Sequence, residues 1–344
     1  MWFARPRHEP AYEGRPLSQW IAQIKMGSSN RMAHLGPVKA EREAIKAMGL
    51  AALPALLESV RPPGYETWWQ AAYREHYPDL PSALSVRLTP PPIPNQIRDH
   101  AFNSFVVSSC RSLRPLANPL LVKSLRHSRP EVRATAAQAL AWRTNTASPE
   151  ILAALTDCLR DPDAEVRRYV VAAISFFGPA ASEAVPAIVE NMRSPRPAKN
   201  SALAEDELVS AAMTLGKIGP SAIAAVPVLR EGAGQRTNAL FRVVSAIALW
   251  RIRHDPSDAL PVLLAEVGSF DRGMKWMILE CFGEMGTGAA AAIPSLAALV
   301  TPPPDANDDD GFVSYNRKLA LEALQKIALD VAKKLAGEAA EPPQ

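Results

Sequence analysis

The sequence has few aromatic residues, few cysteines and no long hydrophobic run. Phe, Trp and Tyr make up 6% of its 344 residues, so the core must be built mainly from Ala, Leu, Val and Ile. No apolar run approaches the roughly 18 residues that a membrane-spanning helix needs, and we expect no membrane span in this chain. The cysteines, Cys110, Cys158 and Cys281, are widely spaced in apolar surroundings, which favours reduced thiols over a disulfide framework.

The sequence also lacks the usual signatures of catalysis and of metal or cofactor binding. Its six histidines form no His-x-x-x-His pair and have no neighbouring cysteine at a metal-ligand spacing. There is no Gly-x-Ser-x-Gly elbow, phosphate-binding loop or dinucleotide fingerprint. In the acidic run 305–311 the glycine falls one position late for an EF-hand, and Asn316 stands where a glutamate is needed. We therefore expect no metal, no cofactor and no catalytic residue, although spacing alone leaves open a site assembled from distant segments.

The net charge of +3 conceals an asymmetry along the chain. Residues 1–199 carry 25 Lys and Arg against 17 Asp and Glu, a balance of +8, whereas residues 200–344 carry 13 against 18, a balance of −5. A dedicated binder of duplex DNA usually has a stronger basic excess, so we expect no nucleic-acid partner. The asymmetry is compatible with a surface that orients a partner and with ordinary solvated helix faces.

Seven prolines recur in a similar local context and predict the starts of seven helices. An aliphatic residue follows each of them at the second position, and an apolar residue follows at the sixth. Because these two positions differ by one helical turn, each segment has one apolar stripe that we expect to be buried. Proline suits the first turn of a helix, where its missing N–H has no intrahelical partner. The prolines are Pro54, Pro119, Pro149, Pro186, Pro227, Pro261 and Pro294.

Glycines predict the turn that precedes several of these helices. Gly178, Gly219 and Gly286 each stand eight residues before one of the prolines, and Gly49 plays the same part through a shorter loop. A glycine just after a helix adopts the left-handed conformation at low cost, so each unit is predicted as helix A, glycine turn and helix B. Gly232 lies outside this register, and we expect a side chain to be tolerated better there than at Gly219.

The repeating unit resembles a HEAT repeat in its short bacterial form. Three features carry the resemblance: the acidic-Val-Arg start of helix A, the closing glycine, and the hydrophobic-Pro-x-aliphatic start of helix B. Glu165-Val166-Arg167 repeats Glu131-Val132-Arg133 at a distance of 34 residues. The resemblance implies an all-α fold in which antiparallel helix pairs stack into a right-handed α-solenoid.

This architecture divides the chain into three parts. Residues 1–37 are predicted to form an extended segment and a capping helix, and residues 38–337 a solenoid of about eight helix pairs. The solenoid contains an insertion at 61–95 and an acidic loop at 301–312. Residues 338–344 are predicted to be a flexible tail.

A narrower resemblance lies at the front of the chain. The run Tyr12-Glu13-Gly14-Arg15-Pro16-Leu17-Ser18-Gln19-Trp20 is similar to the opening of a group of bacterial HEAT-repeat proteins of unknown role. In that group the motif follows an export signal or membrane anchor, so the resemblance implies an extracytoplasmic location if such an anchor has been removed. As the chain is written, we expect it to be cytoplasmic. Leu17 and Trp20 on a short helix are suited to cover the open end of the first repeat.

The insertion concentrates aromatic residues. Tyr65, Trp69, Tyr73 and Tyr77 are spaced four apart and form one stripe if the segment is helical, with Trp68 on another face. Such a stripe is compatible with a platform for a peptide, glycan or base, and with packing of the insertion onto the solenoid. We expect Trp69 and Tyr73 to be mainly buried and Trp68 to be open to a ligand.

Three arginines form a possible basic ladder. Arg61, Arg126 and Arg193 each follow a helix-starting proline by seven residues, which places them near the ends of B helices. A ladder of this kind suits an acidic partner, but cations near helix C-termini are also favoured by the helix dipole alone.

Two hypotheses for function follow. The first is a non-enzymatic scaffold that binds a protein or peptide through the concave surface of the B helices, through the aromatic insertion, or through both. The alternative is a HEAT-like enzyme such as an alkylpurine DNA glycosylase or a phycobilin lyase. A glycosylase needs an acidic residue beside its tryptophans, which Glu66 or Glu75 would supply, and a basic path for DNA. Residues 47–97 carry three basic against four acidic residues, which argues against that path.

Overall fold

The described part of the chain is almost entirely helical. The computed structural model describes residues 9–27, 39–60, 95–113, 116–141, 148–194, 201–235, 237–268, 275–301 and 312–338. These residues belong to two compact units, Met1–Ala173 and Ile174–Gln344. Helices make up the described elements beyond a small N-terminal hairpin, which confirms the predicted all-α repeat fold. The right hand of the superhelix and the three-part division of the chain stay predictions.

A β-hairpin opens the first unit. Strands β1 (Ala11–Tyr12) and β2 (Arg15–Pro16) pair in antiparallel fashion. The two residues between them, Glu13 and Gly14, both have positive φ, as a two-residue turn of type I′ requires. The hairpin leads directly into helix α1 (Leu17–Gly27).

Helices α2 to α8 continue the first unit. They are α2 (Lys39–Met48), α3 (Leu53–Glu58), α4 (Asn95–Ser112), α5 (Asn118–Ser124), α6 (Pro130–Leu140), α7 (Pro149–Asp157) and α8 (Ala164–Ile174). Short 3-10 turns follow α2 at Gly49–Ala52 and α7 at Cys158–Arg160. Helix α6 packs against both α4 and α5, which is the nearest-neighbour stacking of a repeat array.

The second unit repeats this arrangement. Its helices are α9 (Val185–Arg193), α10 (Ser201–Ile218), α11 (Val226–Ala233), α12 (Ala239–Arg253), α13 (Leu260–Glu266), α14 (Trp276–Met285), α15 (Ile293–Val300), α16 (Phe312–Ile327) and α17 (Leu329–Glu338). Segments of 3-10 helix lie at Ser175–Ala184, Gly219–Ala225 and Gly286–Ala292. Helix α12 packs against α10 and α11, and α16 packs in the same way against α14 and α15.

Helix α1 and the hairpin cover the first helices of the array. Leu17, Trp20 and Ile24 are buried, and α1 contacts both α2 and α4. The Trp20 indole Nε1 donates to the carbonyl of Tyr12 at 3.4 Å, and the Arg15 guanidinium lies 5.4 Å from the centroid of the same ring. The N-terminal motif therefore acts here as a packed unit whose apolar face lies against the first repeat.

The predicted apolar stripe is buried in all seven of the helices that begin with a proline. Each of the seven prolines occupies the first or second position of its helix. The residues at the second position after each proline are at most 4% exposed, and those at the sixth are at most 7% exposed. They are Leu56, Leu121, Ile151, Ile188, Leu229, Leu263 and Leu296 at the second position, and Val60, Leu125, Leu155, Met192, Ala233, Val267 and Val300 at the sixth.

The glycine turns form where they were predicted, but with a different backbone conformation. Gly49, Gly178, Gly219 and Gly286 have φ between 53° and 73°. At Gly178 and Gly286, ψ is −134°, whereas a left-handed helical residue has ψ near about +47°. The predicted left-handed conformation is therefore wrong in ψ at these two positions. They occupy a region that a side chain makes unfavourable, which is why glycine is found there.

Two stretches are long and apolar enough to cross a membrane by composition, Ala164–Arg193 and Ala204–Ala233. In the most apolar 18-residue window of each stretch, 50% of the residues of the first and 61% of those of the second are buried inside the protein. Each stretch is also interrupted by a glycine with positive φ, Gly178 in the first and Gly219 in the second. We therefore interpret both stretches as pairs of core helices.

Candidate functional site

An open groove of about 310 Å³ crosses three helices of the second unit. Its floor is α12, which contributes Val244, Ile247 and Ala248, each at most 7% exposed. Helices α10 and α14 pack on α12 and form the walls. Met213 on the α10 wall and Trp276 on the α14 wall are 40% and 37% exposed, which is unusual for such large apolar side chains. We call this feature the α12 groove.

A glycine allows the floor and one wall to approach closely. A Cβ atom on Gly216 would lie 3.1 Å from the Cα atom and 3.2 Å from the Cβ atom of Ala248. Such distances are shorter than ordinary van der Waals contact, so a larger residue at position 216 would push α10 away from α12. The small residues Gly216 and Ala248 thus set the depth of the groove.

The groove changes from apolar to charged along its length. On each of its three helices, an apolar lining residue is followed four positions later by a charged one, which lies one turn further along the same face. The three pairs are Met213 and Lys217 on α10, Ile247 and Arg251 on α12, and Trp276 and Glu280 on α14.

Carboxylates on α14 neutralise the arginine at the charged end. Arg251 Nη2 lies 2.6 Å from Glu284 Oε1, and Arg251 Nε lies 3.0 Å from Glu284 Oε2, so the pair is bidentate. Glu280 Oε2 lies 3.8 Å from Arg251 Nη2. The hydrogen bonds to Glu284 raise the pKa of Arg251, against an opposing effect of its burial. Arg251 therefore fastens α12 to α14 and has its charge compensated within the protein.

Lys217, the second cation, is placed differently. Its Nζ lies 3.4 Å from Ser175 Oγ and 5.3 Å from the centroid of the Phe176 ring. Partial burial lowers the pKa of Lys217, and the positive charge of Arg251 lowers it further. Among the described residues, no carboxylate lies within 4.0 Å of its ammonium group. Lys217 is an exposed residue that forms no ion pair with the described residues.

The described residues offer little for nucleophilic or metal chemistry. They contain no group of three or more His, Cys, Asp and Glu side chains that could hold a metal ion. Cys110, Cys158 and Cys281 form no disulfide. Burial raises the pKa of Cys158 to about 11 and also raises that of Cys281, so both thiols are protonated at neutral pH and poorly nucleophilic. None of the three thiols lines the α12 groove.

The repeated acidic-Val-Arg motif has a structural role in the first unit. The guanidinium of Arg133 binds both carboxylate oxygens of Asp161, at 2.7 and 2.8 Å, and donates to the carbonyl of His127 at 2.9 Å. Asp161 also accepts from the backbone N–H of Asp163 at 2.9 Å. Arg167 is fully buried and donates to the carbonyl of Asp161, also at 2.9 Å. These bonds hold the turn that separates α7 from α8.

The sequence pattern of the family described as HEAT repeats matches residues 118–209. That range begins at α5, includes the arginine-held turn and ends within α10. Residues 118–209 are a run of HEAT repeats. Helix pairs of the same construction continue on both sides of the matched range. No curated protein matches the chain.

Most of the candidate site residues predicted from the sequence lie outside the described residues. They are Arg61, Tyr65, Trp68, Trp69, Tyr73 and Tyr77, within residues 61–94. Glu66 and Glu75, which the glycosylase alternative requires, lie in the same range. The roles suggested for all of them stay predictions, as do those suggested for the acidic loop.

The remaining two candidates are exposed arginines. Arg126 forms an ion pair with Asp157 at 3.6 Å, with the two side chains 80% and 73% exposed. Arg193 is exposed at the end of α9. The two arginines belong to different units, and the basic ladder that would include them stays a prediction.

The residues of the α12 groove were not among those singled out in the sequence. The candidate sites predicted from the sequence were mostly departures from the repeat, whereas the groove is built by regular A helices of three successive pairs. Met213 and Lys217 form an apolar–charged pair four positions apart, but their exposure, which marks them as a site, is known only from the structure. The described groove also lies on A helices, so the partner surface predicted on the B helices stays a separate prediction.

Proposed function

We propose that this HEAT-repeat protein is a non-enzymatic scaffold that binds a protein or peptide partner in the α12 groove. The observation that supports the proposal is the cluster of partly exposed apolar side chains at the groove. Met213, Trp276 and Phe176, whose ring lies beside Lys217, are 37–40% exposed. Exposed apolar side chains gathered in one place are typical of interaction sites, and tryptophan dominates binding energies more often than most residues.

The polar groups of the groove favour binding over catalysis. Proton transfer requires titratable groups whose charges are available to a substrate. Arg251 is engaged by Glu284 and lies 3.8 Å from Glu280, so these groups are committed to holding α12 against α14. Lys217 remains available, and a single cation beside an apolar pocket is suited to orient a bound segment.

The proposal is tested by site-specific photocrosslinking in cells that produce the full chain. A photoreactive phenylalanine replaces Met213 on the groove wall. As a matched control it replaces Ile223, which is 60% exposed in the segment between α10 and α11. We expect a defined crosslinked protein from position 213 that is absent from position 223.

A second variant separates specific binding from collision. Trp276→Ala, combined with the crosslinker at position 213, should reduce the adduct severalfold because the opposite wall has lost its largest apolar side chain. Circular dichroism establishes that the variant retains its helices. Equal adducts from positions 213 and 223, or an adduct insensitive to Trp276→Ala, would contradict the proposal.

A further inference from the structure

Both ring nitrogens of His127 are engaged where the turn between α5 and α6 meets the end of α3. The backbone N–H of Arg129 donates to His127 Nδ1 at 3.1 Å, and His127 Nε2 lies 2.9 Å from Glu58 Oε1. A backbone N–H can only donate, so Nδ1 must present a lone pair rather than a proton. The proton of the neutral ring is therefore on Nε2, where it is donated to the Glu58 carboxylate.

The turn that His127 holds also binds the last carbonyls of α3. The Arg129 guanidinium donates to the carbonyl of Glu58 at 2.8 Å and to the carbonyl of Val60, from which it is separated by 71 and 69 residues in sequence. The last carbonyls of a helix have no partner within that helix, so Arg129 caps α3 from another part of the chain. Helix α3 also packs against α6, which begins just after this turn. The position of the turn therefore fixes the end of α3, where the chain continues into residues 61–94.

A second proton on the ring has two opposing consequences. It strengthens the attraction to Glu58, but that carboxylate is 60% exposed and lies 3.8 Å from Arg129 Nη1, so the added ion pair contributes little in water. It also places an N–H on Nδ1, which removes the acceptor of the Arg129 N–H and sets two donors against each other. The loss at Nδ1 is therefore the larger consequence. The other charged groups around the turn have partners of their own: Arg126 with Asp157, Arg129 also with Glu131, and Arg133 with Asp161.

We propose that His127 is a pH-sensitive latch, in which the neutral ring fastens the α5–α6 turn to the end of α3 and a second proton on Nδ1 releases it. Histidine is the side chain that changes its charge between about pH 8 and about pH 5. The latch is closed while Nδ1 is unprotonated, and it opens as the pH falls through that range. Opening frees the Arg129 backbone and thereby loosens its guanidinium from the carbonyls of α3. The inference concerns the first unit and is independent of the α12 groove.

The test is an NMR comparison of the full-length protein at about pH 8 and about pH 5, the two ends of the range in which histidine titrates. Nitrogen spectra of the histidine rings distinguish a protonated nitrogen from an unprotonated one, and we expect Nδ1 of His127 to be unprotonated at the higher pH. Hydrogen exchange of the Arg129 amide is measured in the same samples and corrected for the intrinsic effect of pH on exchange. Its protection should fall about five- to tenfold at the lower pH, which is the equivalent of about one hydrogen bond.

Two variants assign the effect to one ring. His127→Asn keeps the turn without a titrating group, because an asparagine side-chain oxygen accepts from the backbone N–H two residues on. Its Arg129 amide should be equally protected at both pH values. The matched control is His254→Asn, at an exposed histidine of the second unit whose φ of 52° asparagine tolerates, and it should retain the acid effect. The inference is overturned by a protonated Nδ1 at the higher pH, by unchanged protection of Arg129 in the wild type, or by equal losses in the wild type and His127→Asn.

Discussion

The two units use arginine in different ways. In the first unit Arg133 and Arg167 turn inward and donate to backbone carbonyls of the turns, Arg133 also binds the buried carboxylate of Asp161, and Arg167 has no exposed surface. In the second unit Arg251 and Arg253 pair with carboxylates near the surface, with 30% and 28% of their side chains exposed. Arg242 combines both uses, because it binds Glu266 and the carbonyl of Gln235.

This difference shows how one repeat pattern serves two purposes. A buried arginine that satisfies several carbonyls fixes a turn, but it leaves no charge available for a partner. In the second unit, glycines make the turns at Gly178, Gly219 and Gly286, and the arginines are placed on helix faces. The surface of α10, α12 and α14 is thereby free to combine exposed apolar residues with a cation.

The largest effect is expected at the buried arginine. Arg167→Ala should lower the free energy of unfolding by about 3–5 kcal/mol, because it removes a large buried side chain and leaves the carbonyls of Asp161 and Pro162 without their donor. Arg251→Ala in the second unit should cost about 1 kcal/mol, since its ion pairs are partly exposed. Arg126→Ala, at an 80% exposed side chain, serves as the control with a smaller loss. Similar losses for all three variants in urea titrations would remove the distinction between the units.

The buried stripe should behave alike in both units. Leu121 in α5 and Leu263 in α13 are both 0% exposed at the same repeat position. Leu121→Ala and Leu263→Ala should therefore each lower the free energy of unfolding by about 2–5 kcal/mol. Leu116→Ala, at a residue that is 67% exposed, should change it by less than about 0.5 kcal/mol. A loss below about 1 kcal/mol at either buried leucine, measured by denaturant titration, would show that the repeat register is wrong in that unit.

Substitutions of glycines in the second unit should lower the free energy of unfolding by smaller amounts, and they separate packing from backbone strain. At Gly232 a Cβ atom would lie 2.5 Å from Ser245 Oγ and 2.9 Å from Phe241 Cζ, so Gly232→Ala should cost about 1–3 kcal/mol through overpacking. Gly219→Ala, at φ 73°, should cost about 1–2 kcal/mol through backbone strain. Gly268→Ala is the matched control, because among the described residues, its chain neighbours apart, no atom lies within 4 Å of its Cβ position. Thermal melts in which Gly232→Ala resembles the Gly268 control would contradict the packing seen at α11 and α12.

The position of Gly232 also shows what the sequence could not predict. Spacing along one chain segment identified the prolines, the buried stripe and the glycine turns, because these depend on residues within one or two helices. It also led to the expectation that a side chain at Gly232 would be tolerated better than one at Gly219. That expectation is wrong, because a side chain at Gly232 would collide with Phe241 and Ser245 on the next helix.

The α12 groove was unpredictable for the same reason. Its lining residues are contributed by three helices that are separated by tens of residues in sequence, and no local period relates Met213 to Trp276. The depth of the groove depends on the approach of Gly216 to Ala248, which is set by helix packing. By contrast, the aromatic insertion was predicted as a candidate site because its Trp and Tyr residues lie close together in the sequence.

The hairpin and α1 have a consequence for self-association. Leu17, Trp20 and Ile24 lie against α2 and α4, so removal of residues 1–27 would expose the apolar surface of these two helices. Two such ends on different copies are identical and self-complementary surfaces, which favours a closed twofold pair over an open filament. Light scattering of the shortened chain should therefore show a dimer whose formation increases with concentration. The N-terminal motif would then be a cap that prevents the apolar surface of the first repeat from pairing with a second molecule.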